Sequence, residues 1–541
     1  MQVRNISVHS HHAKGVCTVA VLAAITALGT AHAATLSVGP GKTYSKPCAA
    51  FSAAKDGDTV EIAGNTTYSG DVCGISRNNL IVRGVGGRPK IDANGANAMG
   101  KGIWVVSGNN VTVDNVEMYG ARVADRNGAA LRLEGTGFTL RQSFLHDNEN
   151  GMLSGANTAS DIVVEYSEFG HNGYGDGYSH NLYIGNVKSL TFRYNYSHDA
   201  NVGHNLKSRA QVNTISYNRF SSTAPGQSGS TAVGSPSYEI DLPNAGTAYV
   251  VGNVIEQPAA YGNPTILAYG EEGASNPGKD LYVVNNTFLN DSGSGGTFVL
   301  VGSGITTPAL LQNNIFGGVG SVTNQSNATD RTNYRATTPA FLNRANYDLH
   351  PAAGSPVINA GSAPGKSATG FTLAPSAQYK HVASGETRTN VGQIDIGAYE
   401  TAGGTATPPP STTSWTACAS EGGTCSFSGT HEVRYGAGTA FVSKIVTGST
   451  ACSNAVFGDP APNVAKSCSY AAATAAPAIT WTPCASENGT CSFSGTREVR
   501  YGAGSSFVSK TFTALTACSN AVFGDPAQNV VKSCSYSSAT R

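Results

Sequence analysis

Three short segments hold a concentration of reactive side chains: His180-Asn181-Leu182-Tyr183-Ile184, His204-Asn205-Leu206-Lys207-Ser208-Arg209 and Tyr238-Glu239-Ile240-Asp241-Leu242. Each alternates polar with apolar residues, the period of a strand with one buried and one exposed face. Strict alternation sends Leu182, Ile184, Leu206, Ser208, Ile240 and Leu242 to one face, and Asn181, Tyr183, Asn205, Lys207, Arg209, Glu239 and Asp241 to the other. That second face carries an amine, a guanidinium, two carboxylates, two amides and a phenol. Lys207 and Arg209, two residues apart on one strand, lie about 7 Å from each other. This suits a base that takes a proton beside a cation that neutralises an acidic group on the same molecule. Arg209 would lower the pKa of Lys207, whereas Asp241 would raise it. His180 and His204 hold the same place in consecutive segments, so a histidine, or Tyr183, is an alternative base. The competing role for both histidines is a structural hydrogen bond near a corner.

Such a face needs a framework that repeats. Val111-Thr-Val-Asp-Asn-Val-Glu-Met, Phe138-Thr-Leu-Arg-Gln-Ser-Phe-Leu, Leu190-Thr-Phe-Arg-Tyr-Asn-Tyr-Ser and Leu281-Tyr-Val-Val-Asn-Asn-Thr-Phe are variants of one unit. A polar residue precedes the final apolar pair in each copy: Asn115, Ser143, Ser167, Asn195, Asn218, Asn253, Asn286 and Asn314. These markers fall 23 to 35 residues apart. That period, with strand alternation and no helical pattern between copies, specifies a solenoid of β rungs with the markers stacked as a polar ladder inside a corner. The unit fades after about Gly320. At the other end, a strand near Leu36 and Val38 and one helix at Ala49–Lys55 would cap the first rung, tied down by a Cys48–Cys73 bridge.

The 541 residues include 65 Gly, 4 Met and only 13% charged residues, a composition for strands and turns rather than helices. Residues 1–33 carry Arg4 and Lys14, an apolar run from Val16 to Leu28 and Ala31-His32-Ala33, the pattern of a cleaved secretory leader. Cys17 opens the apolar run rather than following it, which argues against lipid attachment, and no later segment is apolar for long enough to span a bilayer. Without the leader, 34 basic groups become 32 against 34 acidic ones, which gives no basic stripe for nucleic acid. Ten of the eleven cysteines remain, an even number in an exported chain. Thr401–Ser414, rich in Gly, Thr and Pro, reads as a linker. Cys418, Cys425, Cys452 and Cys468 then recur 66 residues later as Cys484, Cys491, Cys518 and Cys534, within near-identical text. Two small disulfide-stapled β modules are expected, at 415–474 and 481–541, with the pairing of cysteines left open. The division is thus a solenoid at 34–400, a linker at 401–414 and the two modules, in a chain acting as a monomer.

The rung pattern and the closing Ile394-Asp-Ile-Gly-Ala-Tyr-Glu400 resemble the secreted, polysaccharide-active right-handed parallel β-helix proteins of the pectate-lyase-like kind, over roughly Thr35–Glu400. The resemblance implies a groove along one parallel sheet, occupied by a long acidic polysaccharide. Residues of adjacent rungs would line up about 4.8 Å apart, giving a Tyr183, Lys207, Asp241 column beside an Asn181, Asn205, Glu239 column. Lys207 as base with Arg209 would then serve β-elimination at a uronate. Asn181 and Asn205 would contact the sugars, and Glu239 and Asp241 could hold Ca²⁺. Gly175–Ile184 is also similar to the Asp-Pro-His-Asp region of alginate C5-epimerases through Ser179-His180-x-Leu182, without that motif's Pro and second Asp. A hydrolase would draw on Glu239 and Asp241 with Asp176 or Asp199, and a non-catalytic adhesin would need none of these groups. The C-terminal pair resembles the accessory modules of secreted carbohydrate-active enzymes. Trp415, Trp481, Arg434, Arg500, Tyr435 and Tyr501 are its candidate sugar contacts.

Overall fold

The structure, a computed structural model, describes residues 33–541 apart from 222–235, 260–262, 294, 345–347, 402–414, 438–439, 462–463, 472–480, 504–505, 528–529 and 541. The leader expected at 1–33 and the linker expected at 401–414 lie outside the described residues but for Ala33 and Thr401. Two compact units divide the chain, Met1–Pro409 and Pro410–Arg541.

The first unit is a parallel β-helix. Three parallel sheets of 12, 10 and 11 strands are built from strands that follow one another in sequence, so each turn of chain visits all three sheets. One rung shows the plan: Leu206–Ser208 belongs to the ten-stranded sheet, Val212–Ser216 to the twelve-stranded sheet and Arg219–Ser221 to the eleven-stranded sheet. Inward side chains fall in register. Leu131 pairs with Met152 and Met152 with Leu182, while Leu206 pairs with Ile240, Ile240 with Leu267 and Leu267 with Val299. All are fully buried, and each contributes roughly 1.5–3 kcal/mol of burial.

Between the twelve- and eleven-stranded sheets the chain turns in two residues. The first takes a left-handed backbone even where it is not glycine, as at Gln142, Tyr166, Tyr194 and Tyr217 (φ 49°, 52°, 58° and 57°). That conformation costs about 1–2 kcal/mol for an L-residue. The second residue offsets it by pointing inward into a hydrogen-bonded ladder. Asn218 Oδ1 accepts from the Asn195 backbone N–H at 2.9 Å, and Asn218 Nδ2 donates to Asn253 Oδ1 at 2.9 Å and to the Phe192 carbonyl at 2.8 Å. The same bonds run through Ser143, Ser167, Asn286 and Asn314 and end on Asn333, beyond the last expected marker. Asn115 is the exception among the markers: it is the left-handed residue of its corner (φ 56°), and Val116 occupies the ladder position.

The N-terminal cap is the strand Thr35–Val38 and the helix Pro47–Ala53, with Cys48 bonded to Cys73 and Phe51 edge-on against Trp104 at 5.1 Å. Parallel pairing continues past Gly320 through Ser321–Thr323, Thr329–Arg331 and Tyr334–Ala336. The chain then folds back. Leu373 packs on Tyr249, Val251 and Val284 of the twelve-stranded sheet, and Ala398 and Tyr399 on Val254 and Leu289 of the eleven-stranded sheet. Arg388, fully buried, pairs with Glu400 at 3.0 Å.

The second unit holds two similar four-stranded antiparallel sheets. The first comprises Trp415–Ser420, Thr424–Ala437, Ala440–Ala451 and Ser467–Ala471, the second Trp481–Ser486, Thr490–Ala503, Ser506–Ala517 and Ser533–Thr540. Pairing of the cysteines is local: Cys418–Cys425, Cys452–Cys468, Cys484–Cys491 and Cys518–Cys534. No helix among the described residues is long and apolar enough to cross a membrane.

Candidate active site

The ten-stranded sheet carries the reactive column on its outer side. Tyr183 pairs with Lys207, and Lys207 with Asp241, on three consecutive rungs. Lys207 Nζ lies 2.7 Å from Asp241 Oδ2 and 2.7 Å from Glu272 Oε1, with 9% of its side chain exposed. Burial pulls the ammonium's pKa down, but Asp241 and Glu272 outweigh it and hold the pKa above the ordinary lysine value. Arg209 donates from Nε to Tyr183 Oη at 2.8 Å, pairs through NH2 with Glu272 Oε2 at 2.5 Å and bonds the Asn244 side chain. Asp241 is pushed up to about 6 by its own burial, against the pull of Lys207.

His180 and His204 stack flat beside this column, ring centroids 4.6 Å apart, with Tyr183 on one side at 5.8 Å and Tyr238 on the other at 4.9 Å. His180 Nδ1 accepts the His204 backbone N–H at 3.0 Å, and His204 Nδ1 accepts that of Tyr238 at 3.2 Å. Each neutral ring therefore carries its proton on Nε2, which in His204 points to Asp241 Oδ2 at 3.4 Å. Burial, then the Lys207 and Arg209 charges, pulls the His180 pKa down to about 3. Burial, His180 and Lys207 hold His204 well below its usual value. The lone pairs a base would use are already engaged.

Asn181, Asn205 and Glu239 do not share the outer face, contrary to strict alternation. All three are buried in a second interior ladder at the corner leading into the ten-stranded sheet. Asn181 Nδ2 donates to Asn205 Oδ1 at 2.8 Å, and Asn205 Nδ2 donates to Glu239 Oε2 at 2.5 Å. They immediately precede the strands Leu182–Ile184, Leu206–Ser208 and Ile240–Leu242, and in the corner their side chains turn inward to satisfy backbone groups, as with the His198 carbonyl bonded by Asn181. Neither asparagine is placed to touch a polymer on the outer face. Burial pushes the Glu239 carboxyl up to about 8.

The pair Glu239 and Asp241 does not fit Ca²⁺. Glu239 is turned inside the coil and engaged by Asn205, while Asp241 Oδ2 already takes the Lys207 ammonium. Asp176 accepts the Tyr178 backbone N–H within its own loop, and Asp199 pairs with His198, so neither joins Asp241.

Glu271 and Glu272, on the turn after Thr265–Tyr269, complete the site and were missed by sequence reasoning. The column one rung on reaches Ala268, which pairs with Asp241, so strand register alone does not find these carboxylates three and four residues further along. Burial, then the neighbouring Asp241, pushes Glu271 up to about 7. Toward the N-terminal rungs opens a cleft of about 460 Å³ lined by Asn127, Arg132, Tyr178, Tyr183, Asn186 and Arg209 among others. Among the described residues lining it there are two arginines and no carboxylate.

In the C-terminal modules the structure separates the six candidates. Tyr435 and Tyr501 are fully buried, their hydroxyls within hydrogen-bond reach of Glu421 and Asn454, and of Glu487 and Asn520. They belong to the core and cannot contact a sugar. Arg434 is sandwiched between Trp415 and Phe441, 4.3 and 4.4 Å from the ring centroids, and Arg500 likewise between Trp481 and Phe507, 4.5 Å from each. Each Trp is half-buried, with one face covered by a guanidinium rather than open as a platform.

No family model matches the sequence. Among solved structures, the chain is similar to the crystal structure of pectate lyase Pel9A, with 16% identity, a TM-score of 0.49, and coverage of 69% of this chain and 97% of that one. It is also similar to ORF18 of Geobacillus virus E2 (14% identity, TM-score 0.32, 51% and 52% covered). The third is the Dettilon tailspike protein gp208 (14%, 0.27, 52% and 62%). The parallel β-helix itself stands on the chain's own strand pairing.

Proposed function

We propose that the chain is a secreted polysaccharide lyase acting on an acidic, uronate-containing polymer. The observation that carries this reading is the cleft lined by Arg132 and Arg209, free of carboxylates among its described lining residues, that leads along the sheet to Lys207. Arginine forks match carboxylates bidentately; Arg132 would take one uronate, and Arg209, held by Tyr183, Asn244 and Glu272, would take the next by exchanging Glu272 for the substrate carboxylate. Arg209 neutralises the carboxylate beside the reacting carbon. Lys207, once it has given up its own proton, removes the adjacent C–H proton; the C=C bond forms as the glycosidic C–O bond breaks, and the leaving oxygen takes a proton from water. Since Asp241 and Glu272 hold the ammonium form, elimination rises with pH on the alkaline side. Five disulfides within the described residues fit an oxidising compartment.

A second reading has its own observation. Asp241 and Glu271, pushed up to about 6 and about 7, are carboxyl groups able to donate a proton near neutrality, as a hydrolase requires. Incubation with pectate, alginate and glycosaminoglycans, followed by ultraviolet absorbance of the unsaturated product, separates the two. New reducing ends without absorbance would move the assignment to hydrolysis, and neither signal would leave a binding protein. Removing 415–541 should weaken retention on insoluble polymer while leaving turnover of short soluble chains unchanged; unaltered retention would remove the accessory role of the modules.

A further inference from the structure

A different cluster lies on the eleven-stranded sheet, where Phe144–His146, Glu168–Gly170 and Tyr196–His198 are neighbouring strands. The residues that follow them, Asp147, His171 and Asp199, all adopt left-handed backbone (φ 54°, 55° and 51°) and so stack at one corner. His171 sits between two carboxylates, with Nε2 3.8 Å from Asp199 Oδ2 and Nδ1 4.0 Å from Asp147 Oδ1. His198 lies with Nδ1 2.8 Å from Asp199 Oδ2 and Nε2 3.3 Å from Glu168 Oε1. One donor atom from each of His171, His198 and Asp199 falls within 4.8 Å of the other two.

We propose that His171, His198 and Asp199 form a binding site for a divalent transition metal of the zinc class. Two imidazoles and one carboxylate are a ligand set for such ions, whereas Ca²⁺ and Mg²⁺ take oxygen ligands. Ligands at about 2.1 Å in a tetrahedral site stand about 3.4 Å apart, and the separations of His198 Nδ1 and His171 Nε2 from Asp199 Oδ2, 2.8 and 3.8 Å, bracket that value. Two independent observations point to an ion. Asp199 is 2% exposed, yet Oδ1, the carboxylate oxygen other than the Oδ2 that faces both histidines, has no hydrogen-bond partner among the described residues. And His198 has a carboxylate in hydrogen-bond reach behind the nitrogen facing away from the metal position, Glu168 at 3.3 Å, while Asp147 stands behind His171 at 4.0 Å as a charge only. The His198–Glu168 contact is how a metal-ligating imidazole is oriented. His171 keeps 18% of its side chain exposed, so one edge of the cluster meets solvent. Asp199 also begins the turn that Asn205 ends, immediately before Leu206–Ser208, so a bound ion would brace the approach to the strand carrying Lys207.

The test uses the full chain, stripped with a chelator and dialysed, beside His171→Asn. Asparagine keeps the left-handed backbone but removes the imidazole. Zn²⁺ titrated calorimetrically should bind the parent chain with one site more than the variant. Co²⁺ should give the visible bands of a four-coordinate N,O site in the parent alone. Glu168→Gln should keep the site and weaken it by about 10- to 100-fold. Histidines elsewhere in the chain are common to parent and variants, so only the difference reports the site. Equal stoichiometry and equal Co²⁺ spectra in parent and His171→Asn would overturn the proposal and leave a hydrogen-bonded His–Asp ladder. Ca²⁺ binding in place of Zn²⁺ would overturn it as well.

Discussion

Two histidine clusters on different sheets of one solenoid show how little the residue type decides. On the ten-stranded sheet His180 and His204 stack flat and spend Nδ1 on backbone N–H groups, and neighbouring cations and burial keep them neutral. On the eleven-stranded sheet both nitrogens of His198 face carboxylates. The first environment makes an imidazole a spacer that positions Asp241 and Lys207; the second sets it between carboxylates, the arrangement on which the proposed metal site rests. What differs is the partner each ring nitrogen meets at the corner, where the left-handed residue is acidic in one case and the backbone amide is free to donate in the other.

The comparison breaks most sharply if a stacked histidine proves to be the base. Lys207→Ala should lower the elimination rate by about 10²–10⁴-fold, with His204→Asn costing far less; the reverse order in initial rates would transfer the role to the imidazole. Acid stability sharpens the same contrast. His180 is neutral in the fold with a pKa of about 3 against an ordinary value of 6.5. The unfolded chain therefore binds its proton first, and the stability His180 contributes is fully present above about pH 6.5 and lost as pH falls toward 3, by roughly 1.4 kcal/mol per unit. Urea unfolding of the parent and His180→Asn should show a shallower acid decline in the variant, and parallel declines would refute the assignment. Asn218→Ala in the interior ladder should cost about 1–3 kcal/mol for each buried donor left unpaired, read as a lower thermal midpoint with the elimination rate per folded molecule unchanged. The smallest effect is one of position: Glu272→Gln removes a carboxylate from Lys207 and should move the alkaline rise in rate to lower pH. A rise that stays in place would show that Glu272 does not hold that proton.

Much of the fold was legible because the solenoid repeats its physics. Ser143 through Asn314 announce a ladder by recurring before an apolar pair, and the Tyr183, Lys207, Asp241 column follows from stacking three segments in register. Asn115 misled because left-handed corner residues and ladder residues draw on the same amide chemistry one position apart. Tyr435 and Tyr501 misled because a phenol suits a sugar as well as a core hydrogen bond to Glu421 or Glu487.

The chain alone determined the rungs, the Cys48–Cys73 cap, the doubled C-terminal modules and the meeting of Lys207, Arg209 and Asp241, since all depend on local period and repeat. Only the tertiary structure decided that Asn205 and Glu239 turn inward, that Glu272 clamps Lys207 and Arg209, and that His171 reaches Asp199. The reason is physical. Alternation governs a side chain while the backbone is extended, but at a corner the need to satisfy buried N–H and C=O groups overrides it, and every one of those decisions is taken at a corner.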